Sequence, residues 1–376
     1  MAGAAGGDAG RAGAGSGADR RFMAAAIRLS RRNLGLTATN PSVGTMIVRD
    51  GVVVGRGVTA VGGRPHAEPQ ALAEAGALAR GATAYVTLEP CAHHGRTPPC
   101  ADALVAAGVA RVVGAASDPD PRVSGKGYAV LRAAGIEVVE GVLAAEAGDL
   151  LAGYLTRSLR KRPEVTLKMA VSADGMIGRR GAGQVAITGP VARAQVHLMR
   201  AETDAILIGI GTALADDPEL TCRLAGLAGR SPARIVLDAA LRLPPASKLA
   251  ATARQAPVLL AAAADADEAR RAVHAACGAG FLAVELHEGR IALPELLEDL
   301  AAQGFMTLMV EGGAETARHF LDEGLVDRIA LFSGAVAIGE GGVASPVTPA
   351  SIPPGFRPIR RARFGDDIYD EFVRQG

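Results

Sequence analysis

Three residues of the types that bind zinc stand within one short stretch, His66, Cys91 and Cys100, and Glu68 lies two positions beyond the histidine. One imidazole and two thiolates suit zinc, and three protein ligands leave the fourth tetrahedral position for a reactive water. Glu68 follows His66 at an expected helix start. Residues i and i+2 do not share a helix face, so its carboxylate points off the ligand direction and is free to shuttle protons. Pro98 and Pro99 before Cys100, with largely apolar Ala101 to Ala107 after it, predict a helix beginning at Cys100, whose N-terminus favours the thiolate. His93 and His94 lie between the thiols. A fourth protein ligand would close the site, so both are read as substrate-side or loop residues.

The order His-x-Glu, Pro-Cys, Cys is the signature of zinc-dependent base deaminases, in which activated water attacks an amidine-like ring carbon and the glutamate moves protons. The usual second half is Pro-Cys-x-x-Cys. Here eight residues separate Cys91 from Cys100, so a longer loop must fold back to deliver the second thiolate. The run Thr87-Leu88-Glu89-Pro90-Cys91-Ala92-His93-His94-Gly95-Arg96-Thr97-Pro98-Pro99-Cys100 resembles the bifunctional deaminase/reductase family of riboflavin biosynthesis, which carries this extended cysteine loop. The resemblance implies a cytidine-deaminase-like α/β/α domain followed by a dihydrofolate-reductase-like α/β domain. It also implies two reactions: zinc-dependent hydrolytic deamination of 2,5-diamino-6-(ribosylamino)pyrimidin-4-one 5′-phosphate, then NADPH reduction of the ribosyl to a ribityl chain.

The totals agree with a two-domain metabolic enzyme. The chain has 376 residues, more than one core usually fills, and 49% apolar content supplies two. A formal net charge of +1 provides no field to recruit nucleic acid or an anionic membrane. Cys222 and Cys277, the other cysteines, show no framework spacing, which points to a reduced, cytoplasmic protein. No apolar run reaches the length of a membrane span. Residues 1–19, mostly Ala and Gly, lack a signal-peptide core and are expected to form a disordered tail.

From Arg20 an amphipathic helix runs to Gly35, followed by Asn40, whose amide could pair with a base edge or simply make an Asn-Pro turn. Strands Thr45 to Val48 and Val52 to Val54 flank Asp50-Gly51, a hairpin signal. A helix from His66 to Ala79, the buried strand Ala84 to Leu88, the helix 100–107 and strands at Arg111 to Ala115 and Ile136 to Val139 predict a parallel-rich sheet clad in helices. Arg122 and Lys126, in the loop after Asp118, are either phosphate ligands or solvated loop charges. Residues 20–150 form the expected deaminase domain, 151–163 a linker, and 164–376 the reductase domain. In the latter, strands are expected at Val165, Ala205, Arg234, Val258, Leu282, Met306 and Arg328 with helices between some of them, at about Gly189 to Ala201, Pro294 to Gln303 and Glu315 to Glu323, a spacing that implies a doubly wound sheet.

Three glycine-bearing stretches in this half follow strands: Ile208 to Thr212, Val310 to Thr316 and Ala337 to Gly342. Glycines at strand-to-helix junctions let a phosphate approach helix N–H groups, although no standard dinucleotide fingerprint is present. The resemblance extends over Val165 to Gly175, Gly211 to Arg223 and Glu311 to Gly313. It implies NADPH contacts from Ala170, Ala186, Thr212, Asp216 and Gly313, and substrate contacts from Asn40, His93, Gln184, Arg200, Leu220, Arg223 and Glu311. Glu311 is also the candidate for moving a proton during reduction, whereas Asp174 is read as a plain turn residue. Three positions depart from the family pattern: Thr59 stands where a histidine is usual, Leu151 where asparagine is frequent, and Gln184 to Thr188 replaces Ser-x-Trp-Ile-Thr. The last change makes a smaller, less polar nicotinamide wall. A nucleoside or tRNA-base deaminase with a nucleotide-binding regulatory domain is the alternative, but 3% aromatics offers little for stacking on nucleic acid. A purely structural zinc site would take four ligands and need no Glu68. The partner is therefore expected to be a small pyrimidine ribosyl phosphate, in a homo-oligomer as such enzymes commonly are.

Overall fold

A computed structural model describes residues 15–93 and 98–375. The chain divides into two compact units, Met1–Arg160 and Lys161–Gly376. Residues 1–14 of the expected tail lie outside the described residues, but the rest of it is ordered. Helix α1 (Gly17–Ser30) opens on a capping box, in which the Ser16 hydroxyl accepts from Asp19 N–H and the Asp19 carboxylate accepts from Ser16 N–H. A run rich in Ala and Gly hid this start.

The first unit continues with β1 (Gly44–Arg49), β2 (Val52–Val58), α2 (Ala67–Ala75), β3 (Thr83–Leu88) and α3 (Cys100–Ala107). It closes with β4 (Arg111–Ala116), α4 (Lys126–Ala133), β5 (Glu137–Val139), α5 (Ala144–Leu150) and α6 (Ala152–Arg160). The strands lie in the order β2-β1-β3-β4-β5. The hairpin turns at Asp50 and Gly51, with φ of 49° and 76°, as a primed turn requires. β1 is antiparallel to both neighbours, and only β3, β4 and β5 run parallel. The sheet is thus mixed, not parallel-rich. Successive strand residues face opposite layers: Tyr85 and Val113 pack with Phe22 and Met23 of α1, while Ala84 and Val112 pack with Leu104 of α3 and Leu131 of α4.

The second unit runs β6 (Glu164–Val171), β7 (Met176–Arg179), α7 (Pro190–Ala201), β8 (Ala205–Gly209), α8 (Ile210–Asp216), β9 (Ala233–Leu237), α9 (Lys248–Ala251) and β10 (Val258–Ala263). Then come α10 (Glu268–Cys277), β11 (Gly280–Val284), the short pair β12 (Leu286–His287) and β13 (Arg290–Ile291), α11 (Leu293–Ala302), β14 (Thr307–Val310) and α12 (Ala314–Asp322). β15 (Arg328–Ser333), β16 (Gly342–Ala344), β17 (Phe356–Phe364) and β18 (Asp367–Arg374) end it. Nine strands form one sheet in the order β11-β10-β9-β8-β14-β6-β15-β18-β17, parallel as far as β15. The antiparallel hairpin β17–β18 was not expected. Its first strand carries Arg357, Pro358, Arg360, Arg361 and Arg363, a composition that reads as loop and that an edge strand tolerates.

Residues 151–163 are not a linker. Leu151 is buried, α6 occupies most of the segment, and the boundary falls after Arg160. Among the described residues no helix is long and apolar enough to cross a membrane.

Candidate active sites

In the first unit two helix starts and one strand end converge. His66 is the N-cap of α2, Glu68 lies in its first turn, and Cys100 opens α3 behind Pro99. Cys91 follows β3, and the returning loop is pinned where Ala101 N–H donates to the Cys91 carbonyl. His66 Nδ1 lies 3.3 Å from Cys100 Sγ and 3.7 Å from Cys91 Sγ. Tetrahedral zinc with Zn–S near 2.3 Å and Zn–N near 2.0–2.1 Å sets such N···S edges at about 3.6 Å. These three ligand atoms all lie within 4.8 Å of one another.

Charge also fits the metal. The Cys91 thiol is held at about 4, chiefly by its hydrogen bond with the Cys100 thiol, with His66 and the Cys100 N–H at 3.3 Å contributing against burial. The same Cys91 sulfur, with burial, pushes the Cys100 thiol far up. Glu68 is 3% exposed, and burial followed by the Cys91 sulfur raises its carboxyl. Two sulfurs and a carboxylate this close cannot all carry charge unaided, and a dication removes the conflict.

His66, Glu68 and Cys91 open on a cavity of about 730 Å³ lined also by Asn40, Thr59, His93, Asp118, Tyr154 and Arg157. Asn40 lies against Gly63, where a Cβ would come within 2.4 Å of its amide nitrogen. The Thr59 hydroxyl accepts from Val43 N–H at 2.9 Å, so its polarity is directed into the fold. Leu151 is core, not lining. His94 lies outside the described residues. Lys126 Nζ donates to the Pro121 carbonyl, and exposed Arg122, which grips Asp120, lines the cavity.

Several residues here were missed by sequence reasoning. Buried Asp118 accepts from the Tyr154 hydroxyl at 2.9 and 3.2 Å. Tyr154, Arg157 and Ser158, at i, i+3 and i+4, share one face of α6. Glu89, the acid of Glu-Pro-Cys, does structural work: it accepts from Gly125 and Gly127 N–H, each at 3.0 Å, and ties the Asp118 loop to β3. A Cβ at Gly127 would lie 2.0 Å from the Pro90 carbonyl, so only glycine allows that approach.

The second unit holds a cavity of about 1520 Å³. A single drug-sized ligand takes roughly 300–1,000 Å³, so there is room for two molecules. Strand β6 alternates, with Val165, Leu167, Met169 and Val171 buried in the core and Lys168 and Ala170 turned to the cavity. The second glycine stretch delivers the N-terminus of α12. Gly313 N–H donates to Thr212 Oγ1 at 2.8 Å, and a Cβ on Gly312 would meet Thr316 at 2.7 Å. The free N–H groups of that helix start, amid Arg179, Arg193 and Arg318, suit the phosphates of a dinucleotide. Ala186, Gln184, Asp216 and Arg223 line the same cavity.

Two expectations change. Leu220 does not face the cavity, because φ of 56° turns its side chain into a core cluster. The third glycine stretch starts no helix. Asp174 accepts from Ile338 and Gly339 N–H, and β16 pairs with β7. Asp174 therefore bridges two loops as well as making its turn.

Arg200 and Glu311 meet directly, Nε to Oε1 and Nη2 to Oε2 both at 2.9 Å, with Lys168 Nζ 3.6 Å from Oε2. Burial pushes the Glu311 carboxyl up, but Arg200 and Lys168 outweigh it and hold the group at about 2. Lys168 is lowered by burial, against the pull of Glu311. Glu311 is therefore an anion near neutrality, while burial favours the neutral form of the neighbouring Lys168, which sequence reasoning did not single out.

A three-ligand metal cradle with a buried acid in one α/β/α unit, and a basic two-ligand cavity in a nine-stranded unit, define a deaminase joined to a reductase. Residues 16–116 match the cytidine and deoxycytidylate deaminase zinc-binding region, and residues 163–369 match the RibD C-terminal domain. The riboflavin biosynthesis protein RibD of Aquifex aeolicus is 40% identical over 86% of this chain and 88% of its own. That of Escherichia coli is 40% identical over 85% and 89%. Among solved structures, Acinetobacter baumannii RibD superposes with a TM-score of 0.83 at 36% identity, covering 96% of this chain and 99% of the other. A diaminohydroxyphosphoribosylaminopyrimidine deaminase/5-amino-6-(5-phosphoribosylamino)uracil reductase of Thermotoga maritima gives 0.83 at 33% identity over 95% and 99%. The chain belongs to the RibD family, the bifunctional deaminase and reductase of riboflavin biosynthesis.

Proposed function

We propose that the first unit deaminates 2,5-diamino-6-(ribosylamino)pyrimidin-4-one 5′-phosphate and that the second reduces the ribosyl group of the product with NADPH. The observation that carries the first half is the convergence of His66 Nδ1 and two cysteine sulfurs at the edge of a cavity that buried Glu68 also lines. His66, Cys91 and Cys100 hold zinc. When bound, the metal supplies the Lewis acidity that makes water nucleophilic near neutral pH. Glu68 takes a proton from the attacking water at a carboxylate oxygen and passes it towards the departing amino group. The exocyclic C–N bond to the amino group breaks, a C–O bond forms at the same ring carbon, and ammonia leaves. Asn40, His93 and the Asp118–Tyr154 pair orient the base edge.

In the second unit the N-terminus of α12, Thr212 and Asp216 would hold the dinucleotide, and Ala170 and Ala186 would line its site. When bound, NADPH supplies hydride for the sugar C1′. Arg200 and Arg223 hold the substrate, the guanidinium fork suiting phosphate. Lys168 Nζ moves the proton, with Glu311 opposing the burial that lowers its pKa. The four cysteines are all free, which supports a cytoplasmic setting, and we expect a homo-oligomer.

The test is to incubate purified protein with the diaminopyrimidinone ribosyl phosphate, with and without NADPH, following ammonia release and NADPH absorbance separately. Both signals are expected. Ammonia without NADPH oxidation refutes the reductase half, and absence of ammonia refutes the deaminase half.

A further inference from the structure

Arg223 reaches the reductase cavity from a loop that cannot hold its own shape. Asp217 and Leu220 adopt φ of 38° and 56°, left-handed conformations that are costly for residues with side chains. Such a loop persists only where its surroundings fix it. One anchor faces the cavity: Arg200 Nη1 donates to the Thr221 carbonyl at 3.1 Å while paired with Glu311.

The second anchor lies behind the loop. Arg234, on β9, is 0% exposed, and among the described residues no carboxylate stands within ion-pair distance of it. Its guanidinium instead donates to four neutral oxygens: Nη1 to the Glu219 carbonyl at 3.0 Å and Thr252 Oγ1 at 2.7 Å, Nη2 to the carbonyls of Thr252 at 3.0 Å and Ala256 at 2.5 Å. A buried charge with no directly paired carboxylate is expensive, even with the Glu219 charge acting on it from farther off, and an apolar side chain would fill the space at less cost. What only the planar fork can do is tie three backbone points to one strand. One of them, Glu219, immediately precedes Leu220.

We infer that Arg234 is a positioning residue for the reductase reaction: by holding the Glu219 carbonyl it fixes the loop that presents Arg223, and so sets affinity for the phosphorylated pyrimidine substrate and not for the dinucleotide. This rests on the reading of the second cavity given above. Of the elements assigned to the dinucleotide, Thr212 and the start of α12 keep their own bond through Gly313, and Asp216 is carried by helix α8 ahead of the loop; none is among the hydrogen-bond partners of Arg234.

The experiment uses the full-length enzyme with Arg234→Met and Arg234→Lys, measuring KM for the deaminated substrate and for NADPH, kcat for NADPH oxidation, and ammonia release on the same sample. Arg234→Met should raise the substrate KM about tenfold, with the NADPH KM changed by less than about twofold, since misplacing one binding group removes substrate affinity selectively. Arg234→Lys, able to reach one or two of the acceptors, should recover part of the loss. A purely structural role would lower both affinities and the yield of active enzyme together, and that result overturns the inference, as does an unchanged substrate KM. If Arg234→Met fails to fold, Thr252→Ala decides the matter: it deletes one acceptor and should produce the same split, smaller in size. Wild-type enzyme that oxidises no NADPH with this substrate would instead overturn the reading of the cavity itself.

Discussion

Asp19→Ala should unfasten the deaminase unit and leave the reductase unit standing. Asp19 is 2% exposed in the first turn of α1. Its Oδ1 accepts from Arg111 Nη1 at 2.7 Å and the Tyr85 hydroxyl at 2.9 Å, and its Oδ2 from Arg111 Nη2 at 3.1 Å and Ser16 N–H at 2.9 Å. Losing the reciprocal cap costs about 1 kcal/mol. Leaving the Tyr85 hydroxyl buried without an acceptor costs about 1–3 kcal/mol. Breaking one side of a buried ion pair costs about 3–5 kcal/mol. Arg111 keeps Glu137 at 2.8 Å, and one carboxylate serves all these bonds, so the terms overlap and do not add. A loss of about 3–4 kcal/mol remains, which in a unit of this size lowers the midpoint by roughly 10 °C. The assay heats the protein and then measures residual ammonia release and NADPH oxidation. The Arg111 guanidinium holds the Asp19 carboxyl well below its ordinary value of 3.8, so the folded pKa lies below the unfolded one. The stabilisation is therefore fully present above about pH 4 and is lost as pH falls towards the folded value, and the gap between wild type and variant should close there. If the two activities were lost together, or if deaminase inactivation shifted by less than about 2 °C, this reasoning would be wrong.

Glu68→Gln should retain zinc on metal analysis and release ammonia about 10²–10⁴-fold more slowly, and near-normal turnover would remove its proton role. Cys91→Ser and Cys100→Ser should each lower the bound zinc, whereas unchanged stoichiometry would exclude that sulfur as a ligand. Tyr154→Phe strips a hydroxyl from buried Asp118 and should raise the deaminase KM by about tenfold at nearly constant kcat, with reductase kinetics unaffected. Glu311→Gln removes the charge that opposes burial at Lys168. The alkaline limb of NADPH oxidation should then move to lower pH, and a limb that stays in place would show that Lys168 does not carry the titrating proton.

How much of this could be read from the residues alone depended on distance along the chain. His66, Glu68, Cys91 and Cys100 lie close in sequence at two helix starts and a strand end, where local propensity already fixes direction. The opposite wall of the same cavity comes from α6. Tyr154 meets Asp118 from 36 residues away, and nothing local in a segment ending with a basic run before Pro163 marks it as anything but a connector. Capping chemistry did offer a missed signal, since Ser16-x-x-Asp19 before Phe22 is a helix start that an Ala-rich and Gly-rich context obscured.

The reductase unit makes the same point from the side of charge. Arg200 and Glu311, 111 residues apart, were each legible as substrate ligands, but only their contact shows that part of their charge is spent on one another and on Lys168. Arg234 was hidden differently. Within Ala233–Leu237 it reads as one polar residue on an otherwise apolar strand, so either an edge strand or an outward face would have explained it. Yet β9 lies between β8 and β10, inside the sheet, where a side chain that cannot lose its proton has no reason to be unless its hydrogen bonds are needed. An arginine on an interior strand is therefore itself a readable sign that a distant loop is being held, and here that loop leads to Arg223.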